Sequence, residues 1–224
     1  MIIAIDGPSG TGKTTVARKV AQRLNFAYFD TGATYRAITW FFLQRKTPLE
    51  EEKQIKKALE GFEFSFKAVG QERRYFVGPE DVTTAIRTPL VTRFVSQVSA
   101  LRPVREVVWK RQRDAAKGQD AVFEGRDMGT VVFPDADLKI FLTARPEVRA
   151  QRRLNEFEGG KSVSEEQHRH MLEELMQRDR LDSTRKLAPL KQARDAHLID
   201  TSDCTVDEVV EMILNMVAEN VKKK

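Results

Sequence analysis

The chain has 224 residues, which suits one sizeable core with small appended units better than two large domains. It carries 38 Lys+Arg against 33 Asp+Glu, a net charge of +5, and a single cysteine, Cys204, so an internal disulfide is excluded. No stretch approaches the ~18 uninterrupted apolar residues that a membrane span needs, and no basic start followed by an apolar run resembles a signal peptide. A reducing, cytoplasmic location is the expectation.

Met1 to Ile5 is a short apolar run with β-branched Ile2, Ile3 and Ile5, the pattern of a buried parallel strand. It leads into Gly7-Pro8-Ser9-Gly10-Thr11-Gly12-Lys13-Thr14, a complete G-x-x-x-x-G-K-[ST] phosphate-binding loop. Glycines let such a backbone curl around phosphates, and the following helix adds positive potential at the same place. That helix is predicted from Thr14, with Val16, Ala17, Val20, Ala21 and Leu24 at helical spacing. In the roles the motif implies, Lys13 reaches the β and γ phosphates and the Thr14 hydroxyl holds Mg²⁺.

Ala27 to Phe29 is a second strand candidate, and Thr34 to Phe42 reads as a helix with Tyr35, Ile38, Phe41 and Phe42 inward. Phe62, Phe64 and Phe66 alternate with polar residues, as do Tyr75 and Val77, with Gly70 between the runs. This predicts a small antiparallel insert closed at Gly78-Pro79. Ala121 to Phe123, Leu138 to Leu142 and His197 to Asp200 complete a set of five strands separated by helices. The fold expected is therefore α/β, a three-layer α/β/α P-loop architecture on a mainly parallel five-stranded sheet.

Toward the C-terminus, Gly159-Gly160 precedes the capping box Ser164-x-x-Gln167, which opens a helix with Met171, Leu172, Leu175 and Met176 as one apolar stripe. A second box, Thr205-x-x-Glu208, opens the last helix, with Val206, Val209, Val210, Ile213, Leu214 and Val217 inward. His168 and His170 lie two apart and read as a solvated pair, while His197 reads as a core histidine, so no metal site is expected from them.

Charge is uneven. Arg87, Arg93, Arg102, Arg105, Lys110, Arg111 and Arg113 face one nearby acid, Glu106, a stretch suited to a polyanion or to small phosphates, or else a solvated helix face. Residues 145–194 hold nine arginines interspersed with acids. Positioned arginines on a mobile lid explain these better than general stickiness, because phosphoryl transfer needs charge stabilisation and exclusion of water.

Taken with Asp30 to Arg36 (DTGATYR), Ile86 to Thr88 (IRT), Ser96 to Val98 (SQV), Val104 to Glu106 (VRE), Gly125 to Asp135 (GRDMGTVVFPD), Arg178-Asp179, Asp182, Arg185 and Ala188 to Leu190, the loop Gly7 to Thr15 resembles that of the nucleoside monophosphate kinases. Within them the chain is similar, end to end, to the bacterial cytidylate kinases. The resemblance implies ATP-dependent phosphorylation of CMP and dCMP, by a monomer that uses Mg²⁺ and binds neither nucleic acid nor membrane. It places Gly7, Pro8, Ser9, Gly10, Thr11, Gly12, Lys13, Thr14 and Thr15 on the ATP phosphates and cytosine against Ser96, Arg105 and Asp127. Thr31, Tyr35, Arg36, Arg126 and Arg185 then line the monophosphate, Arg178 and Asp182 the sugar, and Arg152 and Arg153 the ATP side of the lid. Lys13, Arg126 and Arg185 are the catalytic set it implies.

The same resemblance divides the chain into a core of residues 1–30, 106–151 and 185–224, a monophosphate-binding region 31–105 with an insert near 61–87, and a lid near 152–184. The sequence departs from it at Glu124, where an aspartate is expected; the resemblance still gives Glu124 the role of orienting a Mg²⁺-bound water, with one extra methylene. A kinase for UMP or AMP is the nearest rival; a switch GTPase and an RNA-binding module lie further off, the former because no Asn begins an N-K-x-D element.

Overall fold

The computed structural model describes residues 1–69, 72–158 and 164–222, so Gly70 and Gly159-Gly160 lie outside the described residues. In chain order the elements are β1 (Ile2–Asp6), α1 (Lys13–Leu24), β2 (Ala27–Asp30), α2 (Thr31–Gln44), α3 (Glu52–Glu60), β3 (Phe64–Val69), β4 (Glu72–Val77), β5 (Glu80–Asp81), α4 (Pro89–Ala100) and α5 (Arg102–Ala115). There follow β6 (Ala121–Gly125), a π-helical turn (Met128–Val132), β7 (Leu138–Thr143), α6 (Pro146–Glu158), α7 (Glu165–Thr184), β8 (His197–Asp200) and α8 (Val206–Lys222). They form two compact units, one of residues 1–29 with 116–224 and the other of residues 30–115.

The first unit is built on a five-stranded sheet in the order β2-β6-β1-β7-β8, flanked by helices. Strand β1 is parallel to β6 on one side and to β7 on the other, with Ile5 level with Glu124 and Ile140. Because β1 and β6 are covered on both faces, they consist almost wholly of buried apolar residues rather than an alternating pattern. Ile3, Ile5, Val16, Val20, Ile140 and Ile213 share one core against α1 and α8. On β6, Phe123 is instead sandwiched by Phe29 and Phe133, each with ring centroids at 4.5 Å. This order brings the chain reversals at the carboxyl ends of β1 and β6 side by side, the place where open α/β sheets bind ligands.

In the second unit α2, α4 and α5 pack around Phe41, Phe42, Phe62, Ile86, Val95 and Val108. The antiparallel insert forms as expected: Phe64 pairs with Val77 and Phe66 with Tyr75, and Gly78, at φ 55°, donates to the Glu63 carbonyl at the closure. Helix α2 begins three residues before the predicted Thr34, because the Asp30 carboxylate caps it by accepting from Ala33 N at 2.9 Å.

Two expectations are corrected. Met176 is 55% exposed, so only Met171, Leu172 and Leu175 form the inner stripe of α7. The step from Leu175 to Met176 turns ~100° around a helix and carries the second side chain off the packed face. His197 is exposed and no core histidine, since β8 is an edge strand that buries Ile199 alone. Both capping boxes form, Ser164 with Gln167 and Thr205 with Glu208.

Candidate active site

The phosphate-binding loop joins β1 to α1 with Gly7 at φ 149°, Gly10 at 81° and Gly12 at 84°, conformations that side chains resist. Gly7 and Gly10 are also fixed by crowding. A Cβ at Gly7 would lie 2.1 Å from the Leu142 carbonyl oxygen, and one at Gly10 would lie 2.9 Å from Arg149 Cβ. Three of the loop carbonyls are held by hydrogen bonds. Lys13 Nζ donates to Pro8 O at 2.5 Å, Arg149 Nη1 to Ser9 O at 3.1 Å, and Thr201 Oγ1 to Thr11 O at 3.2 Å. In a glycine-rich loop at a helix N-terminus the backbone N–H groups are the ones that bind an anion.

Lys13 is buried, and its ammonium is pushed well below the usual lysine range by burial first and by Arg126 next, with Glu124 opposing. A cation so destabilised gains from an arriving phosphate. Thr14 Oγ1 donates to Glu124 Oε2 at 3.0 Å, and Tyr28 OH donates to Glu124 Oε1 at 2.5 Å. This hydroxyl and carboxylate offer only oxygen atoms, the type of donor a hard cation such as Mg²⁺ takes. Sequence reasoning missed Tyr28; its signal, one polar tip in the short apolar run Ala27 to Phe29, is weak.

The same unit gathers a mixed cluster next to the loop. Arg126 Nε donates to Asp182 Oδ2 at 3.1 Å, and the Arg185 guanidinium lies 3.7 Å from both the Asp127 and Asp182 carboxylates. Burial alone would raise the Asp182 carboxyl, but Arg126, Arg178 and Arg185 outweigh it and hold the group below its ordinary value. Arg178 is pushed down to about 10, by burial and then by the like charge of Arg126, with Asp182 opposing. Arg185 is braced from behind, its Nε donating to Ala188 O at 2.7 Å. More positive than negative groups are concentrated here, the balance an anionic ligand would correct.

The two arginines expected on the lid differ. Arg152 is committed to Thr201, donating to Oγ1 at 2.9 Å and to the carbonyl at 2.6 Å, whereas Arg153 pairs with Glu156 and lies close enough to Arg178 to lower its pKa.

The second unit holds the remaining predicted residues. Arg105 is 1% exposed, its guanidinium 5.4 Å from the Tyr35 ring centroid and 5.7 Å from that of Trp109. Arg36 donates to Ile86 O at 3.2 Å and Thr92 Oγ1 at 2.9 Å, while Thr31 is buried in the first turn of α2. Ser96 is half-buried on α4, and its carbonyl accepts from Ser99 Oγ at 3.1 Å. Three members of the basic stretch from Arg87 to Arg113 are engaged within the unit. Arg105 is buried, Arg111 donates to Phe62 O at 2.7 Å, and Arg102 pairs with Glu106.

A glycine loop with an inward lysine, a threonine–carboxylate pair behind it and an arginine–aspartate cluster beside it define a P-loop kinase. The family model for cytidylate kinase matches residues 3–219. A cytidylate kinase from Protochlamydia amoebophila is 50% identical over 96% of this chain and 95% of its own length. One from Shouchella clausii is 47% identical over 97% and 96%. In a Synechococcus species a 47% identical stretch makes up 40% of a bifunctional pantoate ligase/cytidylate kinase. The chain belongs to the cytidylate kinase family.

Proposed function

We propose that this protein moves the γ-phosphoryl group of ATP directly onto the phosphate of CMP and dCMP, giving the diphosphates, as a cytoplasmic monomer that uses Mg²⁺. The observation that carries this reading is the placement of Lys13 beside Arg126 and Arg178, with Asp127, Asp182 and Arg185 completing the cluster. Phosphate-binding groups and groups suited to a nucleoside thus occur in one unit.

The acceptor is an ionised phosphate oxygen, so no general base is needed. The work is to align donor and acceptor and to neutralise developing charge. The loop from Gly7 to Thr15 binds the ATP phosphates, and Lys13, Arg126 and Arg185 stabilise the migrating group. Thr14 would hold Mg²⁺ and Glu124 would orient its shell; the ion supplies charge neutralisation on the phosphate oxygens.

Thr31, Tyr35 and Arg36 bind the monophosphate along with Arg126 and Arg185. Ser96, Arg105 and Asp127 read cytosine: its exocyclic amine needs an acceptor and its ring N3 and O2 need donors. Uracil offers a carbonyl in place of the amine and would meet Asp127 as acceptor against acceptor, a mismatch of about 1–3 kcal/mol. Arg178 and Asp182 take the sugar. Residues 152–184 serve as a lid and 31–105, with the insert at 61–87, as the monophosphate-binding region. Of the lid arginines, Arg153 faces the ATP phosphates and Arg152 braces the loop through Thr201.

An assay coupled to ADP release, run over CMP, dCMP, UMP and AMP, tests the reading. Turnover should be fastest with CMP and dCMP; a larger kcat/KM with UMP or AMP would replace it.

A further inference from the structure

Asp6 is the last residue of β1 and immediately precedes the phosphate-binding loop, yet its bonds lie elsewhere. Its carboxylate is 3% exposed; Oδ1 accepts from Met128 N at 2.9 Å and Oδ2 from Gly129 N at 2.8 Å. Those two N–H groups open the π-helical turn Met128–Val132, directly after Arg126 and Asp127.

The first N–H groups of any helical turn lack partners within it, and the side chain just before normally accepts from the second or third of them, here Gly129 or Thr130. Aspartate is among the best residues for that duty, and Asp127 occupies the position. Asp127 makes no side-chain cap bond, however; its carboxylate faces Arg185 at 3.7 Å. Its backbone is nonetheless pinned, since its carbonyl accepts from Val131 N at 3.0 Å and Val132 N at 3.1 Å. Asp6, 122 residues away from Met128, supplies the cap in its place. π-turns are uncommon and gather at functional sites.

From this division of labour we infer that Asp6 is a positioning residue for substrate selection: by capping the turn from β1 it keeps the Asp127 carboxylate out of the cap and available to the acceptor. The inference rests on the reading of Asp127 as the group that selects cytosine. It also ties the two halves of the reaction together, because the strand that carries the ATP loop holds the base-selecting residue in place.

Asp6→Asn is nearly isosteric but carries one acceptor and one NH₂, so one of the two N–H groups would face another donor. Asp127 is then the nearest replacement cap, and turning to that duty withdraws it from the base. The CMP-over-UMP ratio of kcat/KM should fall by about tenfold and KM for CMP should rise, while KM for ATP stays within about twofold. Simple damage to β1 would act first on the adjoining loop and raise KM for ATP, so the split between substrates separates positioning from structural support.

Asp127→Ala is measured beside it. If Asp127→Ala loses discrimination and Asp6→Asn keeps it, the role of Asp6 is overturned and the reading of Asp127 survives. If Asp127→Ala keeps discrimination, that reading fails and the inference falls with it. Should Asp6→Asn not fold, amide hydrogen exchange of the wild-type protein without nucleotide decides: Met128 and Gly129 must be protected, and exchange at the rate of open loops overturns the proposal.

Discussion

The hydroxyl of Tyr28 donates to Glu124 Oε1 at 2.5 Å and so fixes one oxygen of a buried carboxylate whose other oxygen accepts from Thr14. A glutamate has one more rotatable bond than the aspartate expected here. The tyrosine on β2 removes that freedom from the far side. Replacing Tyr28 with Phe keeps the ring in place and deletes the donor, which should cost about 1–3 kcal/mol of stability by urea denaturation. The same change should raise the Mg²⁺ concentration needed for half-maximal nucleotide binding. Unchanged stability and metal demand would show that Tyr28 does not orient Glu124.

The Arg149–Asp179 pair links the loop to α7. Arg149 is buried, shares its Nη1 between Asp179 and the Ser9 carbonyl, and leaves its Nε without a hydrogen bond among the described residues. Arg149→Gln should therefore loosen the loop and raise KM for ATP more than KM for CMP. A double-mutant cycle with Asp179→Asn should give a coupling of about 1–2 kcal/mol, toward the lower end for a buried pair because Asp179 retains some exposure. Additive effects on stability would dissolve the link.

What the sequence disclosed, and what it hid, follows from distance along the chain. The loop was legible because Gly7, Gly10, Gly12, Lys13 and Thr14 act within eight residues, and the parallel strands because burial on both faces leaves uniform apolar runs. Asp127, Asp182 and Arg185 were legible through motif order, and the structure brings these three together in one unit. Partnerships that bridge far-apart residues left no local pattern: Arg149 with Ser9 is separated by 140 residues, Thr201 with Thr11 by 190, and Asp6 with Gly129 by 123. The basic stretch was ambiguous for a related reason. Charge along a sequence does not reveal that Arg105 is enclosed by Tyr35 and Trp109. Edge strand β8 misled because its composition resembles that of a central strand while three of its four residues are exposed.

Arg185 sits between two carboxylates at 3.7 Å and is held at its Nε by Ala188 O, so its guanidinium is oriented before substrate arrives. Its charge is most useful when negative charge spreads over the migrating phosphoryl group. Arg185→Ala should accordingly lower kcat by about 10³–10⁵ and raise KM for CMP far less. Lysine should rescue poorly, because one ammonium cannot address both carboxylates with the geometry of a planar fork. Steady-state kinetics with CMP varied at saturating ATP measures both. An effect confined to KM would assign Arg185 to ground-state binding.

Asp6 also makes stability depend on pH in an unusual direction. Burial raises its carboxyl to about 6 from 3.8, with a smaller push from the negative charge of Asp127. The Gly129 and Met128 N–H groups and the Lys13 ammonium pull the other way. Because the folded value lies above the unfolded one, the folded state holds this proton more tightly. The contribution is then fully present below pH 3.8 and is lost as pH rises through about 6, amounting to about 3 kcal/mol in all. Stability of the wild type relative to Asp6→Asn should fall by that order between about pH 4 and about pH 7, since carboxylates common to both proteins cancel. Function runs against stability here, for only the ionised carboxylate accepts from both Met128 and Gly129. Discrimination of CMP from UMP should therefore weaken in the wild type below about pH 6 and stay flat in Asp6→Asn. Urea denaturation of the two proteins across this range measures the first effect and competition kinetics the second. A stability difference that does not change with pH would mean that Asp6 keeps an ordinary carboxylate pKa in the folded protein.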